Sequence, residues 1–473
     1  MKEALTFDDV LLVPKKSNIN SRKEISLKTR LSKNISLSIP LVSGTMDTVT
    51  ESNMAITLAK MGGIGFIHRF LTIEQQANEV MKVKRAENLI IENPFTLNLN
   101  SKLKDVKFLM NENDVSGIPI IENNKLMGII TKRDILFEDD LEKNVEEIMT
   151  KDLITAPLGT SLEVAQEILN RNKIEKLPIV DENKKLHGLI TSSDILKIKN
   201  YPHSSKDKKG RLMVGAAIGV KDYLERARSL LHAGADVLII DVAHGHSENV
   251  IKVIKEIKNE FDCELIAGNV ATKEGTEDLI SAGADAIKVG IGNGRICVTR
   301  LVSGAGVPQL TALIDCYEVA SKYNIPIIAD GGTGGLSGNI VKCLAAGAST
   351  VMLHGTLAGT EESPGVVIRK NGGKYKLYRG MASVTANIAK KEVDKKSLID
   401  QDEIDEITAE GVESLVPYKG KASEIIKQLL GGVKSGLNYI GAKNFEELKK
   451  NAEFIRVTES GIKESKPHHV EVI

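Results

Sequence analysis

The segment Ile325–Gly335, IPIIADGGTGG, decides the fold. Its apolar part is short, rich in β-branched residues and unalternating, and it ends at an aspartate followed by paired glycines. This composition predicts a strand that is covered on both faces, as in a parallel sheet. Seven further segments share the pattern: IPLVSGTMD (39–47), GGIGFIH (62–68), LMVGAAIGV (212–220), ADVLIIDVAHG (235–245), CELIAGNVAT (263–272), ADAIKVGIGNG (284–294) and STVMLHG (349–355).

Helical patterns separate many of these strands, for example VKDYLERARSLLHAGA over 220–235 and TKEGTEDLISAGA over 272–284. The triplet AGA precedes three of the strands, which fits helices that end on glycine. Repeated strand–helix units predict an α/β protein built as a TIM (β/α)8 barrel. Active sites of such barrels lie where the strands end, and here the strand ends carry glycines and polar residues.

The composition favours a globular protein without a nucleic-acid or membrane partner. Lys+Arg and Asp+Glu are equal at 63 each, aromatic residues make up 4%, and Trp is absent. No apolar run reaches about 18 residues, so we expect no membrane span. The N-terminal segment lacks the apolar stretch of a signal peptide, and the four cysteines form no CxxC pair. We therefore expect a reducing, cytoplasmic location without disulfides or zinc.

A second domain is predicted inside the barrel, since 473 residues exceed one compact core. VSGIPIIENNKLMGIITKRDIL (115–136) is followed by the similar IEKLPIVDENKKLHGLITSSDIL (174–196). We predict barrel residues 1–89, an insertion over 90–205 with copies at about 93–147 and 150–203, and a second barrel part over 206–473. Residues 204–210 read as the exposed return linker. The charged stretch at about 383–415 reads as a mobile flap rather than core.

One cysteine occupies a position suited to chemistry. In KVGIGNGRICVTR (288–300), Cys297 follows three glycines and lies between Arg295 and Arg300, which would stabilise a thiolate. The alternative is a small, packed residue in a tight turn, because free cysteines are usually buried. These residues alone do not decide between the two interpretations.

The chain resembles the inosine-5'-monophosphate (IMP) dehydrogenase and guanosine-monophosphate (GMP) reductase family, with a tandem CBS module inserted in its barrel. The motifs that carry the resemblance are LTFDDVLLVP, MDTVTE, GGIGFIH, DVAHGHS, GNVAT, TEESPG, YRGM, VPYKG and GAKNFEEL, nearly end to end. The resemblance implies NAD-dependent oxidation of IMP to xanthosine monophosphate (XMP) in guanine nucleotide synthesis, through a covalent cysteine thioimidate. The reductases usually lack the insertion, so the resemblance favours the dehydrogenase.

The resemblance also assigns the site residues. It implies Cys297 as the nucleophile, with Thr299 and Glu410 as further catalytic residues; the alternatives are a turn hydroxyl and a surface glutamate. Asp330 matches the ribose-binding aspartate, with a structural cap as the alternative. The implied substrate-binding residues are Ser43, Gly44, Met46, Arg295, Asp330, Gly331, Gly332, His354, Gly355, Tyr378, Gly380, Met381, Ala382 and Glu410.

Cofactor, ion and partner assignments come from the resemblance as well. It implies NAD beside Asp241, Asn269, Gly290 and Gly292. It implies potassium on backbone carbonyls of Gly292, Gly294 and Cys297, and of Glu464, Ser465 and Lys466 from a neighbouring subunit of a homotetramer or octamer. Adenine or guanine nucleotides are the implied ligands of the insertion, at Thr131, Asp134, Thr191 and Asp194. Those four residues are equally interpretable as helix caps.

Five departures separate the chain from the family pattern. The nucleophile loop reads GNGRIC instead of GPGSIC, and His354-Gly355 replaces Gly-Ser. The loop DGGTGGLSGN is one residue longer, and Ala382 replaces a glycine after YRGM. The flap lacks the Arg-Tyr pair whose arginine activates water. Arg295 either replaces a phosphate-binding serine or reshapes the pocket. We therefore keep a GMP-reductase-like enzyme and a weakly catalytic nucleotide sensor as alternatives.

Overall fold

The computed structural model describes residues 3–86, 91–92, 94–113, 115–395 and 401–467. The chain divides into two compact units. The barrel unit comprises Met1–Lys84, His203–Asp207 and Leu212–Ile473, and the inserted unit comprises Arg85–Pro202 and Lys208–Arg211. The predicted boundary at residues 89 and 90 lies outside the described residues. The return segment is not exposed throughout, because Ser205 is buried and its N–H donates to the Ala59 carbonyl at 2.8 Å.

Eight parallel strands close into a barrel, which confirms the predicted TIM fold. Each strand pairs with the next along the chain, and the last pairs with the first. In chain order they are β1 Leu41–Ser43, β2 Ile64–Ile67, β3 Gly215–Ile218, β4 Val237–Ile240, β5 Glu264–Val270, β6 Ala286–Val289, β7 Ile327–Asp330 and β8 Thr350–Leu353. Every one lies within a segment that the sequence pattern predicts.

Alternating side chains of these strands fill the barrel. Phe66, Val237, Ile239, Ile266 and Ile328 belong to one cluster of buried residues. Each of these side chains is fully excluded from solvent. Because side chains of a strand point alternately to its two faces, the other residues of each strand pack against the surrounding helices. The unalternating apolar composition is the result of burial on both faces.

Helices surround the barrel and follow most of its strands. They are Ser52–Lys60, Ile73–Ala86, Tyr223–His232, Glu248–Glu260, Lys273–Ser281, Thr299–Ser303, Gln309–Ala320, Ser337–Ala345, Val384–Lys395, Gln401–Asp405, Ala422–Tyr439, Phe445–Asn451 and Glu459–Glu464. Short 3-10 helices cover Phe7–Asp9, Arg22–Glu24 and Ser321–Tyr323. Among the described residues, no helix combines the length and apolar character needed to cross a membrane.

Small sheets lie outside the barrel. Val10–Leu12 pairs antiparallel with Phe454–Arg456, and Thr29–Arg30 pairs with Ser36–Leu37. A three-stranded antiparallel sheet contains Ile368–Lys370, Gly373–Arg379 and Glu413–Pro417. The third strand of that sheet lies in the stretch that we expected to be a flap without regular structure.

The expectation of a loop over 383–415 is therefore wrong for much of that stretch. Helices occupy Val384–Lys395 and Gln401–Asp405, and a strand begins at Glu413. The side chain of Ala386 on the first helix is fully buried, so this helix packs onto the barrel unit. The many lysines and carboxylates of this stretch obscure the helical period in the sequence.

The inserted unit contains two halves with the same strand pairing. Leu97–Asn98 runs parallel to Gly117–Glu122, which pairs antiparallel with Lys125–Thr131. Ala156–Pro157, Lys176–Val180 and Leu186–Thr191 repeat this arrangement, and Ile91–Glu92 adds a fourth strand. Helices are Leu103–Asn113, Val145–Ile148, Leu162–Asn172 and Ser192–Asn200. Each half has its own apolar cluster.

Candidate active site

A cavity of about 660 Å³ opens where the barrel strands end. Parallel strands bring their carboxyl ends to one rim, so residues far apart in the sequence meet there. Nearly all of the predicted site residues line it. They are Met46, Asp241, Asn269, Gly290, Gly292, Gly294, Arg295, Cys297, Thr299, Asp330, Gly331, Gly332, His354, Gly355, Tyr378, Gly380, Met381, Ala382 and Glu410.

Cys297 lies on the loop after β6, and its thiol faces this cavity. The Cys297 Sγ atom is 3.1 Å from the Thr299 Oγ1 atom, close enough for a hydrogen bond. Cys297 is partly exposed rather than packed, and Thr299 begins the helix Thr299–Ser303. A partly exposed thiol beside a hydroxyl is accessible to an electrophile held in the cavity.

The two arginines beside Cys297 have different surroundings. The Arg300 guanidinium donates to the Ile291 carbonyl at 3.2 and 3.1 Å and also donates to the Val307 carbonyl. It therefore fixes the shape of the nucleophile loop rather than pairing with the thiol. Arg295 is exposed and lines the cavity. Its positive charge acts on Tyr378 and on Lys419.

Residues 410–412 form a closing segment between the nucleophile loop and the turn after Tyr378. The Val298 N–H donates to the Glu410 carbonyl at 2.8 Å, and the Val412 N–H donates to the Ile296 carbonyl at 3.0 Å. On the other side, the Glu410 N–H donates to the Ala382 carbonyl at 3.0 Å. These backbone bonds place the Glu410 side chain at the cavity, beside Cys297 and Thr299.

Asp330, the last residue of β7, stands at the centre of a polar network. Its Oδ2 atom accepts from Asn269 Nδ2 at 2.7 Å and lies 3.3 Å from Lys288 Nζ. Its main-chain carbonyl accepts from Asn293 Nδ2 at 2.7 Å, which ties the nucleophile loop to β7. Asn293 replaces the proline of the family loop, so this bond exists only because of that replacement.

Lys288 and two aspartates carry the buried charges of the site. Lys288 Nζ is 3.4 Å from Asp241 Oδ1 as well as close to Asp330. Burial opposes the charged lysine, but the two carboxylates more than offset it, so the pKa of Lys288 is raised. Burial likewise opposes the charged Asp330, yet Lys288 and the hydrogen bond from Asn269 help to outweigh it, and the pKa of Asp330 is lowered. Asp330 is therefore ionised and ready to accept hydrogen bonds.

His354 follows β8 and reaches the same carboxylate. Its Nε2 atom is 3.4 Å from Asp330 Oδ1, and its side chain is only 19% exposed. The ring packs directly on Gly44, where an added Cβ would lie 2.1 Å from the His354 Cδ2 atom. Burial lowers the pKa of His354, with Asp330 acting in the opposite direction. His354 thus faces the ribose-binding aspartate predicted by resemblance.

The glycine loop after Asp330 provides an anion-binding surface. Gly331 and Gly332 have φ values of +79° and +80°, which a side chain would strain. Two further glycines of the loop also have positive φ, and the helix that follows has no side-chain cap on its first turn. Exposed backbone N–H groups of this kind suit a phosphate.

Two cationic groups and a phenol border this surface. Lys419 Nζ donates to the Gly355 carbonyl at 2.6 Å and to the Thr356 carbonyl at 3.2 Å. Burial, together with the charge of Arg295, lowers the pKa of Lys419. Burial raises the pKa of Tyr378 to about 12. The phosphate end of the cavity is therefore rich in donors.

The predicted NAD-side residues are partly engaged within the chain. Asp241 Oδ1 accepts from Thr45 Oγ1 at 2.8 Å. Asn269 Nδ2 donates to the Gly290 carbonyl at 2.7 Å and to Asp330. Both N–H groups of Asn269 are used in this way, so its amide is held in one orientation.

Other predicted residues lie away from the cavity. The Ser43 side chain is fully buried and accepts from Thr50 Oγ1 at 2.8 Å, so it supports the strand end instead of lining the cavity. Glu464, Ser465 and Lys466 lie at the end of Glu459–Glu464 and just beyond it, also outside the cavity. Their predicted role belongs to a neighbouring subunit.

Several lining residues were not predicted. Lys288 interrupts the apolar strand AIKV, and a lysine in a doubly covered strand is itself a signal of a buried charge partner. Asn387 and Lys390 lie three residues apart on the helix Val384–Lys395 and line the cavity together. They escaped prediction because that stretch was interpreted as a loop. Asn293 carried no local signal.

In the inserted unit, the Thr–Asp pairs bond locally. Thr131 Oγ1 donates to Asp134 Oδ2 at 2.7 Å, and Thr191 Oγ1 donates to Asp194 Oδ2 at 2.6 Å. The bond of the Asp194 N–H to Thr191 Oγ1 at 3.2 Å, just before the helix Ser192–Asn200, fits the helix-cap alternative, whereas residues 132–137 form turns and not a helix. Ribose binding by the four residues stays a prediction.

Comparisons with known proteins agree with this geometry. A family model described as the IMP dehydrogenase / GMP reductase domain matches residues 4–468. An inosine-5'-monophosphate dehydrogenase of Nitrosopumilus maritimus is 54% identical, over 99% of both chains. That of Bacillus subtilis is 49% identical over 100% of this chain and 96% of its own. A solved cysteine-to-alanine variant of GMP reductase from Trypanosoma brucei, bound to guanosine 5'-monophosphate, has a TM-score of 0.93, with 42% identity over 100% of this chain and 99% of its own.

The site thus lies at one end of the barrel, where the cysteine loop, the aspartate network and the glycine loop meet. The proteins compared above match the chain over nearly its full length. The chain belongs to the IMP dehydrogenase / GMP reductase family.

Proposed function

We propose that the protein oxidises IMP to XMP in guanine nucleotide synthesis, with NAD as the hydride acceptor. The observation that carries the proposal is the partly exposed Cys297 thiol, 3.1 Å from Thr299, on the cavity that also holds Asp330 and the glycine loop. Dehydrogenases from two organisms, at 54% and 49% identity over nearly the full length, support this activity.

Separate residues of the chain bind the nucleotide and carry out the covalent chemistry. The glycine loop and Arg295 bind the phosphate, and Asp330 binds the ribose. The Cys297 thiolate adds to C2 of the base, and loss of hydride from C2 leaves a thioimidate. Water then adds to C2, the C2–S bond breaks, and XMP and the thiolate are released. The balance is IMP, NAD⁺ and water giving XMP, NADH and a proton.

NAD has a fitting place on the same cavity. Asp241, Asn269, Gly290 and Gly292 all line the cavity, and the two glycines let backbone approach a flat ring. NAD, when bound, accepts the hydride. Asp241 and Asn269 are held in fixed orientations by the bonds described above, so they can orient a carboxamide without rearranging.

Hydrolysis of the thioimidate is the step for which the chain offers the weakest set of groups to activate water. Residues 383–417 contain no arginine. The groups proposed to relay a proton are Thr299, which is 3.1 Å from the thiol, and Glu410, which lines the same cavity. Lys390 on the helix Val384–Lys395 adds a positive charge to the same cavity. Loss of a general base typically slows a step by about 10²- to 10⁴-fold.

GMP reduction is the second candidate, and this weak provision favours it. In that reaction the 2-amino group leaves as ammonia and NADPH delivers hydride to C2, so no water need be activated. The inserted unit does not exclude it, because the Trypanosoma brucei reductase matches 100% of this chain, insertion included. The expectation that the insertion favours the dehydrogenase therefore loses its force.

One assay separates the two activities. Purified protein is mixed with IMP and NAD while NADH formation is followed, and in parallel with GMP and NADPH while NADPH loss and ammonia are measured. NADH formation without NADPH loss supports the dehydrogenase. The reverse result assigns the reductase, and nucleotide binding without either reaction leaves the sensor.

The inserted unit is proposed to be a tandem CBS module that binds adenine or guanine nucleotides. Support comes from its repeated strand pairing and from Lys176, whose side chain is 6% exposed and whose Nζ atom lies 4.0 Å from Glu175 Oε2. Burial lowers the pKa of Lys176, and an anion beside it would reverse that effect. Calorimetric titration with ATP and GTP, on wild type and Lys176→Met, tests the proposal.

Potassium and subunit association stay predictions of the family resemblance. Backbone carbonyls of Gly292, Gly294 and Cys297 are hard oxygen ligands of a suitable kind, although the Gly294 carbonyl already accepts from the Cys297 N–H at 3.1 Å. Turnover in potassium against sodium buffers tests the ion. Sedimentation velocity tests the predicted homotetramer or octamer.

A further inference from the structure

His354 stands where the family has glycine, and its surroundings give it a specific task. The ring lies between Gly44, which leaves no room for a side chain, and the carboxylate of Asp330. Both its backbone and its ring line the cavity. A bulky residue introduced at a glycine position beside the ribose-binding group changes what that group can offer a ligand.

The two oxygens of Asp330 are unequally occupied. Oδ2 accepts from Asn269 and lies close to Lys288, so its lone pairs are directed to protein donors. Oδ1 lies 3.4 Å from His354 Nε2, longer than a good N–H···O bond. A carboxylate with both oxygens free can accept one hydrogen bond from each hydroxyl of a diol. In Asp330, Oδ2 is already engaged by Asn269 and Lys288, so more accepting capacity is left on Oδ1.

Neutral imidazole has one unprotonated nitrogen, which accepts a hydrogen bond. In the tautomer that carries its proton on Nδ1, His354 Nε2 is that acceptor, and it lies 3.4 Å from Asp330 Oδ1. Vicinal hydroxyls of a ribose stand side by side and present two donors at a comparable spacing. We propose that Asp330 and His354 share the ribose diol of the bound nucleotide, with one hydroxyl on Asp330 Oδ1 and its neighbour on His354 Nε2. This inference rests on the proposed function, since it assumes a nucleotide in the cavity.

We call the two acceptor atoms, Asp330 Oδ1 and His354 Nε2, the shared seat of the ribose diol. Because one of them belongs to an imidazole, nucleotide binding should depend on the protonation of His354. The charged groups that face the ring are Asp330, Lys288 and Asp241. Protonated His354 would donate to Asp330 Oδ1, and both acceptors of the seat would be lost. Since burial lowers the pKa of His354, the ring is neutral at physiological pH and the seat is open. Affinity should therefore be constant near neutrality and fall as the pH drops through that pKa.

The first test measures the dissociation constant of IMP by calorimetry, without turnover, between about pH 5.5 and pH 8. Below the pKa of His354, wild type should lose up to about tenfold in affinity per pH unit. His354→Gln keeps an acceptor but cannot titrate, so its profile should be flatter. The nucleotide phosphate itself gains a proton near pH 6, but this affects both proteins equally.

A matched control is available in the inserted unit. His187 Nε2 lies 3.0 Å from Asp181 Oδ2, which makes another histidine–aspartate pair outside the barrel cavity. His187→Gln should keep the pH profile of wild type. If wild type and His354→Gln show the same profile, the seat does not depend on the imidazole and the inference is wrong.

The second test is a cycle between ligand hydroxyls and the residue. IMP and its 2'-deoxy and 3'-deoxy analogues are titrated into wild type and into His354→Gly. Removing the hydroxyl that His354 accepts should cost wild type about three- to tenfold in affinity and cost the variant almost nothing. Removing the other hydroxyl should cost both proteins equally, through Asp330.

The outcomes separate this inference from the proposed function. Equal penalties for each analogue in the two proteins would overturn the role of His354 while leaving a nucleotide site. Absence of IMP and GMP binding to wild type at every pH would overturn the nucleotide site and, with it, the shared seat. A purely structural role of His354 would lower affinity for all three ligands by the same factor, and this too would overturn the inference.

Discussion

Replacing Gly44 with alanine is the sharpest test of the packing at the cavity rim. Alanine fits the backbone, because Gly44 has no positive φ. Its methyl group, however, would lie 2.1 Å from His354 Cδ2 and 2.3 Å from His354 Nε2. Ordinary carbon–carbon contacts begin at about 3.5 Å, so the ring must retreat by roughly 1.4 Å or the backbone must shift.

The expected cost follows from this overlap. Overpacking in a close-packed region typically destabilises a protein by about 1–3 kcal/mol, and we expect Gly44→Ala to fall in this range. His354→Gly removes the obstacle, so adding Gly44→Ala to that variant should cost almost nothing further. The interaction between the two substitutions should therefore equal the cost of the alanine alone, about 1–3 kcal/mol.

The assay is chemical denaturation of wild type, both single variants and the double variant, followed by a signal of the barrel unit. Far-ultraviolet circular dichroism checks that each variant is folded before the titration. Additive costs, with the double variant less stable than either single one, would refute the contact between Gly44 and His354. So would a neutral Gly44→Ala.

Three further predictions concern the chemistry and the barrel unit. Cys297→Ala should reduce turnover by at least about a thousandfold while calorimetry shows IMP affinity nearly unchanged, because the thiolate supplies a covalent bond and other groups supply affinity; a variant that kept a few per cent of the rate would contradict the covalent mechanism. Rapid mixing of wild type with IMP and NAD should give a burst of about one NADH per subunit and then a slow steady rate; a linear trace would mean that hydrolysis is not limiting. Lys84→Met should destabilise the barrel unit by about 3–5 kcal/mol, since it removes the buried ammonium that compensates two largely buried carboxylates. Its Nζ atom lies 2.6 Å from Asp236 Oδ2 and 3.1 Å from Asp207 Oδ2, and denaturation that matches wild type would contradict this role.

The barrel was predictable because each strand has a recognisable local sequence pattern. A short apolar run bounded by glycine or polar residues is the direct consequence of burial on both faces, and β4 and β7 show it without ambiguity. The pairing of Val10–Leu12 with Phe454–Arg456 was not predictable in this way. Its partners lie at opposite ends of the chain, and no local pattern indicates which distant strand completes such a small sheet.

The site divides in a similar manner. Cys297 and Asp330 could be singled out from their loops, and the family resemblance supplied their roles. The cluster of departures around Asp330 could not be seen in the sequence, because Asn293 and His354 are brought to one carboxylate only by the closure of the barrel. Ser43 was expected to line the cavity, but its hydroxyl bonds to Thr50 instead.

Backbone hydrogen bonds join the closing segment 410–412 to the nucleophile loop. The reactivity of the Cys297 thiol should therefore report whether this segment is attached. When that segment detaches, the backbone hydrogen bonds on either side of Cys297 break together, and the partly exposed thiol becomes more accessible to an alkylating reagent. The other cysteines should react with the reagent only slowly. Burial raises the pKa of Cys263 to about 11 and that of Cys316 to about 12, and it also raises the pKa of Cys343. The rate of iodoacetamide labelling of Cys297 at neutral pH then reports how often this segment detaches, and the measurement needs no engineered probe.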